Sequence, residues 1–140
     1  MAKMNIAKLM VPKVLIKFLH ESDTIRQGLE VMTQSHYTAL PVLDDQDRFV
    51  GCVSEGDFLR HILATGTTDK RYHEQFLVGS ILRKDYCPAI DIEADAETVI
   101  GALLSQNFVP VVDDREALCG LLTRRTLIDE LAKRAMETNT

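Results

Sequence analysis

An α/β fold built from two tandem β-α-β-β-α units is what this sequence predicts, and three observations carry the prediction. The stretch Tyr37–Leu63 reads as two short strands running into a helix. An apolar run reaches Leu43, Asp44-Asp45-Gln46-Asp47 make a turn, Phe49–Val53 form a second strand holding Gly51, and Phe58, Leu59, Ile62 and Leu63 recur at helical spacing. The pattern then returns: Pro41, Asp44, Asp45, Gly51, Ser54 and Asp57 are answered by Pro110, Asp113, Asp114, Gly120, Thr123 and Thr126, each 69 residues later. Upstream, Glu21-Ser22-Asp23 and Glu93-Ala94-Asp95 lie 72 apart, so the second copy is three residues shorter before its proline. A prolyl strand, double-Asp turn, Gly strand and Ser/Thr stop shared at one spacing mark a duplication. Finally, 140 residues at 46% hydrophobic content suit one compact domain, and units of about 60 residues, marginal alone, are expected to pack together.

In chain order, Met4–Met10 reads as a short helix ended near Pro12, and Val14–Leu19 as a strand interrupted by Lys17. A helix over 24–35, capped by Asp23 or Thr24, places Ile25, Leu29 and Met32 on one face. The Tyr37–Leu63 stretch completes the first copy, assigned to residues 1–66. Ala64–Gln75 is polar and Gly/Thr-rich, with the linker proper at 67–75. The second copy, 76–136, reads as a short helix Phe76–Leu82, a strand Ala89–Ile92, and a helix Asp95–Gln106 with Val99, Leu103 and Leu104 inward. Strands Val109–Val112 and Leu118–Leu122 follow. A last helix from Arg124 to about Met136 has Leu127, Ile128, Leu131 and Ala135 on its buried side.

A net charge of −5 argues against general affinity for nucleic acid or anionic membrane. No apolar run approaches the roughly 20 residues of a membrane-spanning helix. The N-terminal MAKMNIAKLM is too short and interrupted for a secretion signal, so a cytoplasmic location is expected. Cys52, Cys87 and Cys119 are odd in number, lack C-x-x-C spacing, and read as reduced thiols. His20, His36, His61 and His73 show no ligand spacing, so no metal or other cofactor is expected.

The chemistry concentrates where strand meets helix. Ser54 and Asp57 form an S-x-x-D pattern that brings free backbone N–H groups, a hydroxyl and a carboxylate together. Asp57 can accept from a ribose diol, and Ser54 with the helix N-terminus can meet a phosphate. The alternative is a helix cap alone, worth about 1 kcal/mol. In the second copy Thr123 is followed by Arg124, Arg125 and Thr126. Thr126 carries no charge, while the arginines offer forked donors for phosphate. Arginine at a helix N-terminus opposes the macrodipole, and two of them there suggest an anion; a solvated first turn is the alternative.

Two β-α-β-β-α units, each ending G-hydrophobic-hydrophobic-[S/T]-x-x-[D/polar] before a helix, resemble the CBS-domain pair, or Bateman module. The resemblance spans roughly Ala7 to Arg134, leaving nothing for a separate catalytic domain. Gly51–Asp57 matches the pocket motif in full, and Gly120–Thr126 matches except for Thr at the acidic position. VSEGDFL and NFVPVVDD look like small stand-alone CBS-pair proteins of Gram-positive bacteria, and Thr-Arg-Arg resembles CBS proteins that bind cyclic di-AMP. The resemblance implies two repeats around a pseudo-twofold axis with a cleft between their sheets, and dimers of such chains. It implies adenine-containing ligands (AMP, ATP, S-adenosylmethionine, cyclic dinucleotides) whose binding is signalled to a partner. On the family pattern one site takes Ile16, Lys17, Phe18, Thr38, Ala39 and Pro41 with Ser54 and Asp57. The other takes Cys87, Pro88, Ala89, Val109 and Pro110 with Thr123, Arg124 and Arg125. Several of these would equally serve as plain core, and Lys13 and Lys17 could reach a phosphate or lie in solvent.

Three functions compete. The first is a homodimeric regulatory sensor of adenine nucleotides acting on an unidentified protein partner. An enzyme is the second, weakened by the absence of a phosphate loop, G-x-S-x-G motif or Cys/His pair. The third is a ligand-independent docking or dimerisation module with degenerate clefts, kept open by the incomplete second motif. Apolar helix positions Phe58, Leu59, Ile62, Leu127, Ile128 and Leu131 are the expected dimer face.

Overall fold

The computed structural model describes residues 4–138 and forms two compact units, residues 17–86 and the remainder on either side of them. In chain order the elements are α1 (Ile6–Leu9), β1 (Val11–Pro12), β2 (Leu19–His20), α2 (Ile25–Gln34), β3 (Ala39–Leu43), β4 (Phe49–Ser54), α3 (Glu55–Thr65) and α4 (Lys70–His73). Then follow β5 (Ile90–Asp91), α5 (Ala96–Ser105), β6 (Phe108–Val112), β7 (Leu118–Thr123) and α6 (Arg124–Thr138). The mixed α/β fold is the one the repeat predicts. None of these helices is long and apolar enough to cross a membrane.

In the 17–86 unit, β2 runs parallel to β3, and β3 pairs antiparallel with β4, setting Ala39 opposite Ser54 and Pro41 opposite Cys52. The hairpin turn is built from its side chains. Asp44 Oδ1 accepts from the amides of Gln46 and Arg48, and Asp47 adopts the left-handed conformation at φ 61°. Helix α2 is capped reciprocally by Thr24 and Gln27. Leu19, Ile25, Met32, Leu40, Val42, Val53, Phe58 and Val78 form the core.

The other unit repeats the scheme. Strand order is β1-β7-β6-β5, with β5 parallel to β6 and β6 antiparallel to β7. Asp113 Oδ1 accepts from the amides of Arg115 and Ala117, and Glu116 takes φ 64° where Asp47 does in the first copy. Met4, Ile6 and Leu9 enter a core with Val99, Leu103, Val109, Val111, Leu122 and Leu127.

Each unit borrows the segment that opens the opposite copy. Arg83 and Cys52 exchange both main-chain hydrogen bonds, at 2.9 and 3.1 Å, while Pro12 lies opposite Gly120 in the β1–β7 pairing. Val11 and Arg83 are 72 residues apart, the upstream offset of the repeat. A side chain at Gly51 would put its Cβ 2.8 Å from the Arg83 carbonyl oxygen, which is why this strand carries glycine. The cut in space therefore differs from the division at 66 and 76, which follows the repeat along the chain.

Some local expectations are corrected. Val14–Leu19 is not a strand: Lys13–Leu15 make a 3-10 turn, and Val14 and Leu15 are exposed. An apolar run without alternation does not distinguish these outcomes, and β3 offers this run a ladder only at Val42 and Leu43. Phe76–Leu82 contains a 3-10 turn at Val78–Ser80, and the polar linker holds α4 with His73 buried. Leu104, Ile128, Leu131 and Ala135 face outward, and among the residues expected inward on α6 only Leu127 is buried. Leu104 is one residue beyond the buried Leu103, a step of about 100° around the helix. Cys119 is a free thiol.

Candidate functional site

Strand β4 ends and α3 begins at Ser54, whose extended backbone makes it the N-cap. Its hydroxyl accepts from the Asp57 amide at 3.3 Å, and the Asp57 carboxylate accepts from the Ser54 amide at 2.8 Å and hydroxyl at 2.9 Å. Two arginines join them. Arg60, one turn along α3, donates to Asp57 Oδ1 at 2.5 Å. Arg83, delivered by its main-chain bridge to Cys52, places Nε 3.0 Å from Oδ1 and 3.2 Å from Oδ2. Its Nη2 donates to the Ser54 hydroxyl at 3.3 Å, and its guanidinium lies 4.1 Å over the Tyr86 ring. Asp57 is 6% exposed. Burial pushes its pKa upward, but the Ser54 amide, the Arg60 guanidinium, the Ser54 hydroxyl and the Arg83 charge outweigh it and hold the carboxyl below its ordinary value.

Thr38 and Ala39 border this cluster. The Thr38 carbonyl accepts from the Glu55 amide at 2.9 Å, and Ala39 and Pro41 are buried on β3. Lys17 is exposed, and Phe18 packs edge-on to His20 at 5.7 Å. Ile16, grouped with these by sequence, is buried in the other unit.

The equivalent turn of the second copy performs the same capping without a charge. Thr126 Oγ1 accepts from the Thr123 amide at 3.0 Å, Thr123 Oγ1 accepts from the Thr126 amide at 3.1 Å, and the Thr126 hydroxyl donates to the Thr123 carbonyl at 2.8 Å. Arg124 turns back to the end of α5, donating to the carbonyls of Leu103 at 2.7 Å and Leu104 at 3.3 Å. This satisfies orphan helix-end acceptors with a cation, a structural task that sequence spacing did not suggest. Arg125 is exposed and lies 3.4 Å from Asp129. Val109 and Pro110 are buried on β6, Cys87 is buried, Ala89 is half-buried and Pro88 is exposed, its carbonyl accepting from Gln106 at 3.2 Å.

Arg60, Arg83 and Tyr86 were not singled out in the sequence. Arg60 carried a signal, since i,i+3 from an acid is a helix pairing distance. Arg83 carried none, because a main-chain bridge across 31 residues leaves no side-chain spacing to read.

The CBS-domain family model matches residues 6–64 and 78–133. Cyclic di-AMP receptor B of Bacillus subtilis (strain 168) is 24% identical over 135 residues, spanning 96% of this chain and 91% of its own. CbpB of Listeria monocytogenes, solved in complex with c-di-AMP, aligns at a TM-score of 0.80 and 22% identity over 95% of this chain and 98% of that one. CBSX2 in complex with AMP aligns at 0.74 and 23% identity, covering 94% and 98%. At these identities the structural likeness shows the fold.

Proposed function

The chain belongs to the CBS-domain family, and from that premise we propose that it is a regulatory, non-catalytic sensor of adenine nucleotides with a binding site centred on Ser54 and Asp57. One observation carries the reading. The second copy caps its helix with two neutral threonines, so the buried carboxylate of the first copy exceeds what capping needs. A carboxylate beside a helix N-terminus and two guanidinium groups has the chemistry for a ribose diol and a phosphate at once. Thr38 and Ala39 border it, and the family pattern adds Lys17 and Phe18 as candidates. The relatives reported to bind c-di-AMP and AMP support this ligand class. AMP and ATP carry a free diol, whereas cyclic di-AMP has its 3′ oxygens esterified, so a site built on Asp57 favours the mononucleotides.

In this reading the sensor is a homodimer that signals to an unidentified protein. Exposed Leu59 and Leu63 on α3 and Leu104, Ile128 and Leu131 on α5 and α6 support association through helix faces. Phe58 and Leu127, both buried, at 2% and 8% exposure, drop out of that face.

A ligand-independent docking module is the second reading. It is favoured by the neutral Thr126 and by the structural employment of Arg124. Thermal unfolding against AMP, ATP and cyclic di-AMP separates the two. A ligand at 100 times its dissociation constant stabilises by about 2.7 kcal/mol, and no shift with any of them would leave the docking module.

A further inference from the structure

We propose that Arg83 sets the selectivity of the first-copy site, holding the Asp57 carboxylate against uncharged nucleosides and yielding it to ligands that bring an anion. The inference rests on the nucleotide reading above and goes beyond it by naming a residue outside the helix-cap motif.

A carboxylate offers about four acceptor positions. Those of Asp57 are met by the Ser54 amide, the Ser54 hydroxyl, Arg60 and Arg83. A ribose diol needs two of them, so it must displace a donor already in place. The two Ser54 donors belong to the cap and move only if the first turn of α3 opens. The arginines are the exchangeable pair, with side chains 64% and 45% exposed.

Arg83 is the better fitted of the two to act as a gate. Its Nε approaches both carboxylate oxygens while Nη2 reaches the Ser54 hydroxyl, so one guanidinium spans the group that would receive the diol. Its backbone is pinned to Cys52 by two hydrogen bonds, which leaves the side chain to swing about a fixed anchor. Moving it away removes an ion pair from a buried acid. Neutral hydroxyls replace the hydrogen bonds but not the charge, and leave the guanidinium unpaired. A phosphate on the same ligand takes up the guanidinium in two parallel bonds. The exchange is therefore closer to balanced for a nucleotide than for its nucleoside. The two members of the pair are also absent together: the second copy's unit has Thr126 where the first copy's has Asp57, and Val11 where it has Arg83.

The test is calorimetric titration of the parent, Arg83→Gln and Arg83→Lys with adenosine and with AMP. The ratio of the two affinities is taken on each sample, so a loss of folded protein cancels. Arg83→Gln is expected to bind adenosine more tightly than the parent and to lower the AMP preference by about tenfold, the scale of one charge-assisted contact. Arg83→Lys, which keeps the charge without the fork, should fall between. If the parent prefers AMP and Arg83→Gln keeps the same ratio, Arg83 is not the selectivity residue and the nucleotide reading stands. If the parent binds neither ligand, the nucleotide reading fails and takes this inference with it.

Discussion

Asp57 and Thr126 stand at equivalent positions and cap equivalent helices, yet only Asp57 brings a charge into a buried place. Its depressed pKa has a definite sign in stability. The unfolded chain binds the proton more tightly, so the contribution is present above the ordinary carboxylate pKa and is lost as pH falls through the lower folded value. Denaturant titrations from pH 7 to pH 3 should show a loss for the parent that Asp57→Asn reduces; identical slopes would mean the carboxylate is not held as described. Arginines 124 and 125, paired by sequence as phosphate donors, separate in the structure. Arg124 serves the end of α5, so Arg124→Gln should lower unfolding stability by about 1 kcal/mol. Arg125→Gln, at an exposed ion pair, should leave stability nearly unchanged. Equal stabilities of the two variants by chemical denaturation would contradict this division.

Helix α3 is tied at its start by Ser54 and further along by a histidine pair. His61 Nε2 lies 3.1 Å from His73 Nδ1, and His73 Nε2 lies 2.8 Å from the Thr67 carbonyl, closing the 67–73 segment onto the helix. Burial, then the neighbouring His73, lowers the His61 pKa. A base whose folded pKa is depressed contributes stability above its unfolded value of about 6.5, lost as pH falls through the folded one. Unfolding free energy should therefore drop between pH 7 and 5, and His61→Gln should flatten that part of the profile; a profile unchanged by the substitution would exclude the pair as its source. The close approach at β4 gives a second test at this scale. Gly51→Ala should destabilise by about 1–3 kcal/mol, because the new Cβ meets the Arg83 carbonyl as well as the Leu82 side chain, and the main-chain carbonyl cannot turn aside. These elements also show what the sequence made legible. β3, β4, β6, β7 and the helices α2, α3 and α5 were readable because turn residues and periodicity agree and the repeat states each pattern twice. β2 and α4 were not. β2 is two residues long and defined by its partner, and α4 hides one buried histidine in a polar run.

At the scale of the molecule, the duplication was visible along the chain, but the exchange of leading segments was not. Met4, Ile6 and Leu9 enter the core of the second copy's unit, and Val78 enters that of the first. The candidate site follows the same rule: its cap was readable from S-x-x-D, while Arg83 reaches it only through that exchange. The outward aliphatic residues of α3, α5 and α6 predict self-association, and sedimentation at micromolar concentration should show a dimer; a monomer there would contradict it. The task proposed for the buried acid of the first copy is to recognise a nucleotide's ribose. It is tested most directly by titrating the parent and Asp57→Asn with AMP and 2′-deoxy-AMP in a calorimeter. The parent should favour AMP by roughly tenfold or more, from one hydrogen bond to a charged acceptor, and Asp57→Asn should lose most of that preference. A parent that binds both ligands equally, or binds neither, would contradict it.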